Sequence, residues 1–188
     1  MKTVSLIIIF GITSSLAFPT SNQVCSWESN LKSLVQKLTP NGQKLVNQKF
    51  LSILGLFYSS IQPVYAAAGK KYDAINQQLI ASRDASTVLQ VAYILGVGNS
   101  TAGLGLTTLP SLCQNSIQID SLISSMLPEN QQRVLQILNY DEAEIKALMP
   151  SILNKHKANN YNLYQQLYRT ENPATLNAIS SAFRSIYG

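Results

Sequence analysis

Apolar residues recur along this chain at spacings of three and four, the period of one face of a helix. Trp27, Leu31, Leu34, Val35 and Leu38 share such a face and predict a first helix. Pro40 and Gly42 end it, because proline disfavours helical geometry in the residue before it and glycine is free to turn. A second helix carries Leu45, Val46, Phe50, Ile53, Leu54, Phe57, Tyr58 and Ile61. Its apolar face covers most of the circumference, which predicts a central position. Pro63 suits the first turn of a third helix with Ala68, Tyr72, Ile75 and Leu79 inside and Lys70 and Lys71 facing water. A fourth opens near Ser82 or Asp84, both able to cap it, and is almost wholly apolar from Val88 to Leu95.

Four glycines between Gly96 and Gly105 mark the longest irregular stretch, which ends near Pro110. Beyond it, Ile119, Leu122, Ile123 and Met126 predict a fifth helix, and Pro128 opens a sixth around Val134, Leu135 and Leu138. Asp141 followed three residues later by Glu144 reads as a capping box that starts a further helix. Ile145, Leu148, Met149, Ile152 and Leu153 are the face of that helix, which Pro150 is expected to kink or divide. Tyr161, Tyr164 and Tyr168 mark the next helix. Asn172-Pro173 opens the last, with Leu176, Ile179, Phe183 and Ile186 as its stripe. No stretch alternates as a strand would. The expected fold is all-α, a single compact domain of about eight or nine short helices over residues 18–188. Leu38-Thr39-Pro40 and Leu127-Pro128-Glu129 each precede an apolar helix, an echo too faint in the sequence to define a repeat.

The N-terminus changes the compartment. Lys2, the apolar run Val4 to Ile12 and the small residues Ser15 and Ala17 form the three-part pattern of a secretory signal peptide, residues 1–17. The mature chain is therefore expected to be secreted and extracellular. Cys25 and Cys113 are the only cysteines, and an even count in an exported chain predicts a disulfide. Asn99-Ser100-Thr101 is a glycosylation sequon in the glycine-rich stretch. No later unbroken apolar run has the ~18–20 residues of a membrane span, so no transmembrane segment is expected.

Hydrophobic residues make up 46% of the 188, which excludes intrinsic disorder. Charged residues make up only 12%, with a net charge of +5. The basic residues are scattered, and only Lys70-Lys71 and Lys155-His156-Lys157 cluster. No basic stripe interleaves with aromatics, so nucleic acid is not an expected partner. The charge is compatible with transient contact with an anionic membrane surface.

Catalytic signals are weak. The single histidine, His156, lies between two lysines and reads as a solvated side chain. No serine sits in a nucleophile-elbow motif, and Gly96–Gly105 lacks the lysine and spacing of a phosphate loop. Two cysteines and one histidine are too few for a zinc site. No enzyme, metal or cofactor is expected.

What remains is an excess of apolar helix surface at 43–61 and 85–95. These helices can cover one another in a solid core, as in a structural or protein-interaction module. They can also line a cavity for a small hydrophobic ligand, where burial contributes about 0.8 kcal/mol per CH₂. The candidate lining residues are Phe50, Leu54, Phe57, Tyr58, Leu89 and Tyr93. Lys70, Lys71 and Arg83 are candidates for holding a carboxylate headgroup at the mouth.

Leu38-Thr39-Pro40 and Leu127-Pro128-Glu129, each opening an apolar helix in a compact helical chain, carry a resemblance to the nematode fatty-acid and retinol-binding proteins. The similarity spans at most Leu38 to Leu153 and is mainly architectural. It implies a wedge-shaped helical fold with an internal pocket for fatty acids and retinoids, and a non-enzymatic carrier role.

Overall fold

The computed structural model describes residues 20–95 and 111–187, with side chains as far as Phe183. The leader at 1–17 and the sequon at Asn99 lie outside the described residues. Eight helices, and no strand, are found among those described: α1 (Ser21–Gln36), α2 (Pro40–Lys71), α3 (Asp73–Ile80), α4 (Ala85–Ile94), α5 (Leu112–Ser125), α6 (Pro128–Asn159), α7 (Tyr161–Thr170) and α8 (Pro173–Tyr187). The all-α class stands, and Cys25 and Cys113 form a disulfide joining α1 to α5, with Cα atoms 4.4 Å apart.

The helices are not all short. α2 and α6 each run for 32 residues, where the sequence predicts breaks at Pro63, Asp141 and Pro150. Both prolines lie on the exposed side of their helix. There the carbonyl that loses its partner can bond to water, so the helix continues across the proline. Asp141 caps nothing; it sits in mid-helix on the buried stripe Val134, Leu138, Asp141, Ile145, Met149, Ile152, His156. Asp84 precedes α4 without capping it, and its carboxylate turns to α6 instead. α2 is long and apolar enough to cross a membrane, but its buried stripe from Leu45 to Ala68 packs against α6 and α7.

The echo at the two helix starts belongs to an internal structural duplication with an interval of 88 residues. Cys25 and Cys113 are 88 residues apart. The same interval takes Pro40 to Pro128, each at the first position of a 32-residue helix. It also takes Gln77-Gln78-Leu79 in α3 to Gln165-Gln166-Leu167 in α7. Burial repeats with it: Val24 with Leu112, Glu28 with Ser116, Leu31 with Ile119, Val46 with Val134, Phe57 with Ile145, Val91 with Ile179. Gln43 and Gln131 each donate to the carbonyl that precedes their long helix by two residues, Leu38 O at 3.1 Å and Met126 O at 2.9 Å.

The two halves interlock rather than stack. α1 packs on α8 and α5 on α4; α2 packs on α7 and α3 on α6; α2 crosses α6 and α1 meets α5. Each pairing of unlike helices is matched by its reciprocal, the logic of a two-fold interface carried within one chain. The helix caps are exchanged in the same way. Glu171, just after α7, accepts from the Thr39 backbone N–H at 3.2 Å and from the Thr39 hydroxyl at the start of α2. Asp84, just before α4, accepts from the Leu127 N–H and from Asn130 Nδ2 at the start of α6, both at 2.8 Å. Each carboxylate answers the unpaired N–H groups and positive end of the other half's long helix.

Candidate functional site

The duplication builds two cavities at opposite ends of the α2–α6 pair. The first lies between the C-terminal part of α2, the short helices α3 and α4, and the first half of α6, and encloses about 170 Å³. Ala68, Leu79, Val91, Leu95 and Leu138 supply an apolar wall, and Tyr65, Asn76 and Asp141 are its polar members. The Tyr65 hydroxyl donates to the Leu95 carbonyl at 3.2 Å, and burial first, then Asp141, pushes its phenol well above the usual range. Asp141 is 4% exposed, and its Oδ1 has no hydrogen-bond partner. Burial raises its carboxyl to about 7, since the charged form loses its water without gaining an ion partner.

The second cavity occupies the equivalent place in the other half, between the N-terminal part of α2, α7, α8 and the end of α6. It is larger, about 430 Å³, and more polar. Phe50, Ile53 and Phe183 form its floor, with Phe50 stacked on Phe183 at 4.8 Å between centroids. Lys49, Lys157, Tyr161, Tyr164 and Tyr168 form its walls. Lys49 Nζ lies 4.2 Å above the Tyr164 ring, a cation–π geometry. Where the first cavity has Ile137 and Asp141, one interval earlier the second has Lys49 and Ile53. The polarity of the two sites is inverted although their backbone frame is shared.

His156 is fully buried, not the solvated side chain that its sequence neighbours imply. The flanking Lys155 and Lys157 point outward, as residues adjacent on a helix must when the middle one faces in. His156 Nδ1 meets the Tyr164 hydroxyl at 3.3 Å, and its Nε2 has no hydrogen-bond partner. Burial, with Lys49 adding to it, lowers its pKa to about 4, so the ring is neutral at pH 7. No serine or carboxylate hydrogen-bonds to it among the described residues, so no triad is assembled there.

The residues expected to line one pocket are dispersed. Phe50 lines the second cavity. Leu54 and Phe57 are sealed in the core and line neither cavity. Tyr58 is half-buried, edge-on to Phe57 at 5.7 Å. Leu89 and Tyr93 are 62% and 67% exposed, because α4 packs through Val88, Val91 and Leu95 and these two fall on its other face. The expected headgroup cations also stand elsewhere. Lys71 Nζ sits 4.0 Å over the Tyr140 ring, Arg83 pairs with Asp84 at 3.9 Å, and Lys70 is exposed on α2. None of the three lines either cavity. Sequence reasoning missed Asp141, Tyr65, Lys49 and Lys157. A signal for Asp141 was present: it falls on the apolar period of α6, one turn before Ile145.

Comparison of the chain with protein-family models, with curated proteins and with solved structures returns no match.

Proposed function

We propose that the protein is a secreted, non-enzymatic carrier that holds a small hydrophobic ligand between its helices. The observation that carries this reading is the first cavity, with an apolar wall and a single buried carboxyl left without a full set of partners. Close-packed interiors rarely keep such a space, and an apolar cavity of ~150 Å³ is known to accept a benzene-sized guest. The first cavity is of that size, so it takes a ring or a short chain. A long-chain fatty acid or a retinoid would place only its end there.

The fatty acids expected from the resemblance to the nematode carriers fit the second cavity better. Its volume lies within the ~300–1,000 Å³ of ordinary ligand sites, and Lys49 and Lys157 offer positive charge over an aromatic floor. A disulfide between the two halves suits an oxidising compartment, consistent with secretion. The direct experiment is titration of the mature protein with a dansylated fatty acid, followed by displacement with oleate. Enhanced fluorescence and displacement at micromolar oleate are expected; no uptake would remove the carrier reading.

A second reading has its own observation. Leu89 and Tyr93, four residues apart on α4, present an exposed apolar strip. Such a strip suits a helical interaction protein that binds a protein partner. A stable dimer in light scattering that Leu89→Ser disrupts, with no ligand uptake, would favour this reading.

A further inference from the structure

A buried carboxyl in an apolar wall is normally either paired or required by the fold. Asp141 Oδ1 has no hydrogen-bond partner. The chain contains its own control for the second possibility. One interval earlier, on α2, the equivalent position is Ile53, 2% exposed and packed in the same frame. The equivalent position on the other long helix is therefore filled by an apolar side chain and is no less buried. Asp141 also caps no helix, being in the middle of α6.

We propose that Asp141 is the polar anchor of the first cavity, and that its ligand is a small apolar molecule ending in a hydrogen-bond donor, a primary amine or an alcohol, rather than a carboxylate. This inference rests on the carrier reading above and names its ligand class. Of the other polar groups in the wall, Tyr65 already gives its proton to the Leu95 carbonyl, and Asn76 is an uncharged amide that can accept as well as donate, so the only charged side chain of the site is an acceptor once Asp141 is ionised. A ligand ammonium or hydroxyl completes the unpartnered oxygen. An ionised carboxylate would meet a like charge with no cation among the residues that line this cavity.

The test uses four ligands of one shape: 2-phenylethylamine, 2-phenylethanol, ethylbenzene and phenylacetate, titrated calorimetrically into the intact mature protein at about pH 8.5, where Asp141 is ionised and the amine is still protonated. The amine and the alcohol are expected to bind about tenfold or more tighter than ethylbenzene, as hydrogen bonds to a charged group allow, and phenylacetate more weakly still. Asp141→Ile, which installs the residue found at the equivalent position, should keep ethylbenzene binding and erase the preference. Asp141→Asn preserves the shape and should weaken the amine selectively while retaining the alcohol. If ethylbenzene binds as tightly as the amine, or the preference survives both substitutions, the anchor role is overturned while the carrier reading stands. If none of the four binds, the anchor role falls, and the carrier reading falls with it only if the dansylated fatty acid is not taken up either.

Discussion

Asp141 on α6 and Ile53 on α2 occupy equivalent positions in two halves of one chain, both buried, one ionisable and one not. The same holds for His156 and Ala68. Each pair sets a buried ionisable side chain against a buried apolar one, and each ionisable member carries a pH signature.

Stability should show two opposed slopes between about pH 4 and 7. The Asp141 carboxyl rises from an ordinary 3.8 to about 7 on folding, so the folded state binds more protons in that window. Its contribution is favourable at low pH and is lost as pH rises, by roughly 4 kcal/mol in all. His156 falls from 6.5 to about 4, so its contribution is lost as pH falls through the same range. Denaturant melts should find the intact protein nearly flat there. Asp141→Ile should leave stability rising with pH, and His156→Ala should leave it falling; parallel curves for all three would refute the assignment.

Below about pH 4 a separate loss is expected. Burial pushes the Glu28 carboxyl up, but Lys32, the Cys113 N–H and the Ser111 hydroxyl together outweigh it and hold the group below its usual value. Hydrogen bonds from Asn130 and the Leu127 N–H hold Asp84 low as well. Both carboxylates stabilise the fold above their unfolded values and lose that contribution as pH falls through their lowered ones. Glu28→Gln and Asp84→Asn should each shallow the acid limb of a Tm-against-pH curve; an unchanged limb would count against the exchanged caps.

The cap on α2 has a steric requirement that the cap on α6 lacks. A Cβ on Gly42 would stand 2.1 Å from Glu171 Oε1, whereas the equivalent Asn130 bonds to its carboxylate directly. Gly42→Ala should therefore displace Glu171 from Thr39 and cost about 1–2 kcal/mol, the usual worth of a cap. Glu171→Ala should cost a similar amount, and the double variant little more than either alone. Additive losses in chemical denaturation would show that the two residues act separately.

Neither half should stand without the other, since α1 and α2 find their main partners in α8, α6 and α7. The fragment 20–95 is expected to be unfolded or self-associated alone. It should regain native-like helix content when mixed with 111–188 under conditions that re-form the Cys25–Cys113 bond. Independent monomeric folding of 20–95 by sedimentation and circular dichroism would contradict the interlocked arrangement.

Much of the helical pattern was legible because it is local: the apolar period runs through the helices found, although it carries one expected helix from Pro63 across the break at Tyr72 between α2 and α3, and Asn172 does accept from the N–H groups of Ala174 and Thr175 as an N-cap should. The breaks were misplaced where a local signal meets a tertiary answer. Pro63 and Pro150 interrupt a hydrogen bond, but on the watered side, which no periodicity reports. An aspartate three residues before a glutamate looks the same in mid-helix as at a cap, so Asp141 was read as an end. α4 is apolar nearly all round, and only its partners decide that Val91 goes in and Leu89 out. The duplication was available in the cysteines and in the two Gln-Gln-Leu runs. It is masked at the proline motifs because their leucines do not correspond: Leu38 lies two residues before Pro40, whereas Leu127 lies one before Pro128.

Each long helix lines both cavities. α2 gives Tyr65 and Ala68 to one and Phe50 and Ile53 to the other; α6 gives Leu138 and Asp141 to one and Leu153 and Lys157 to the other. The two rooms thus hang on a single pair of beams. Any tilt of one beam across the other reshapes both ends together, so the sites can be tuned apart by exchanging side chains but never by moving either beam.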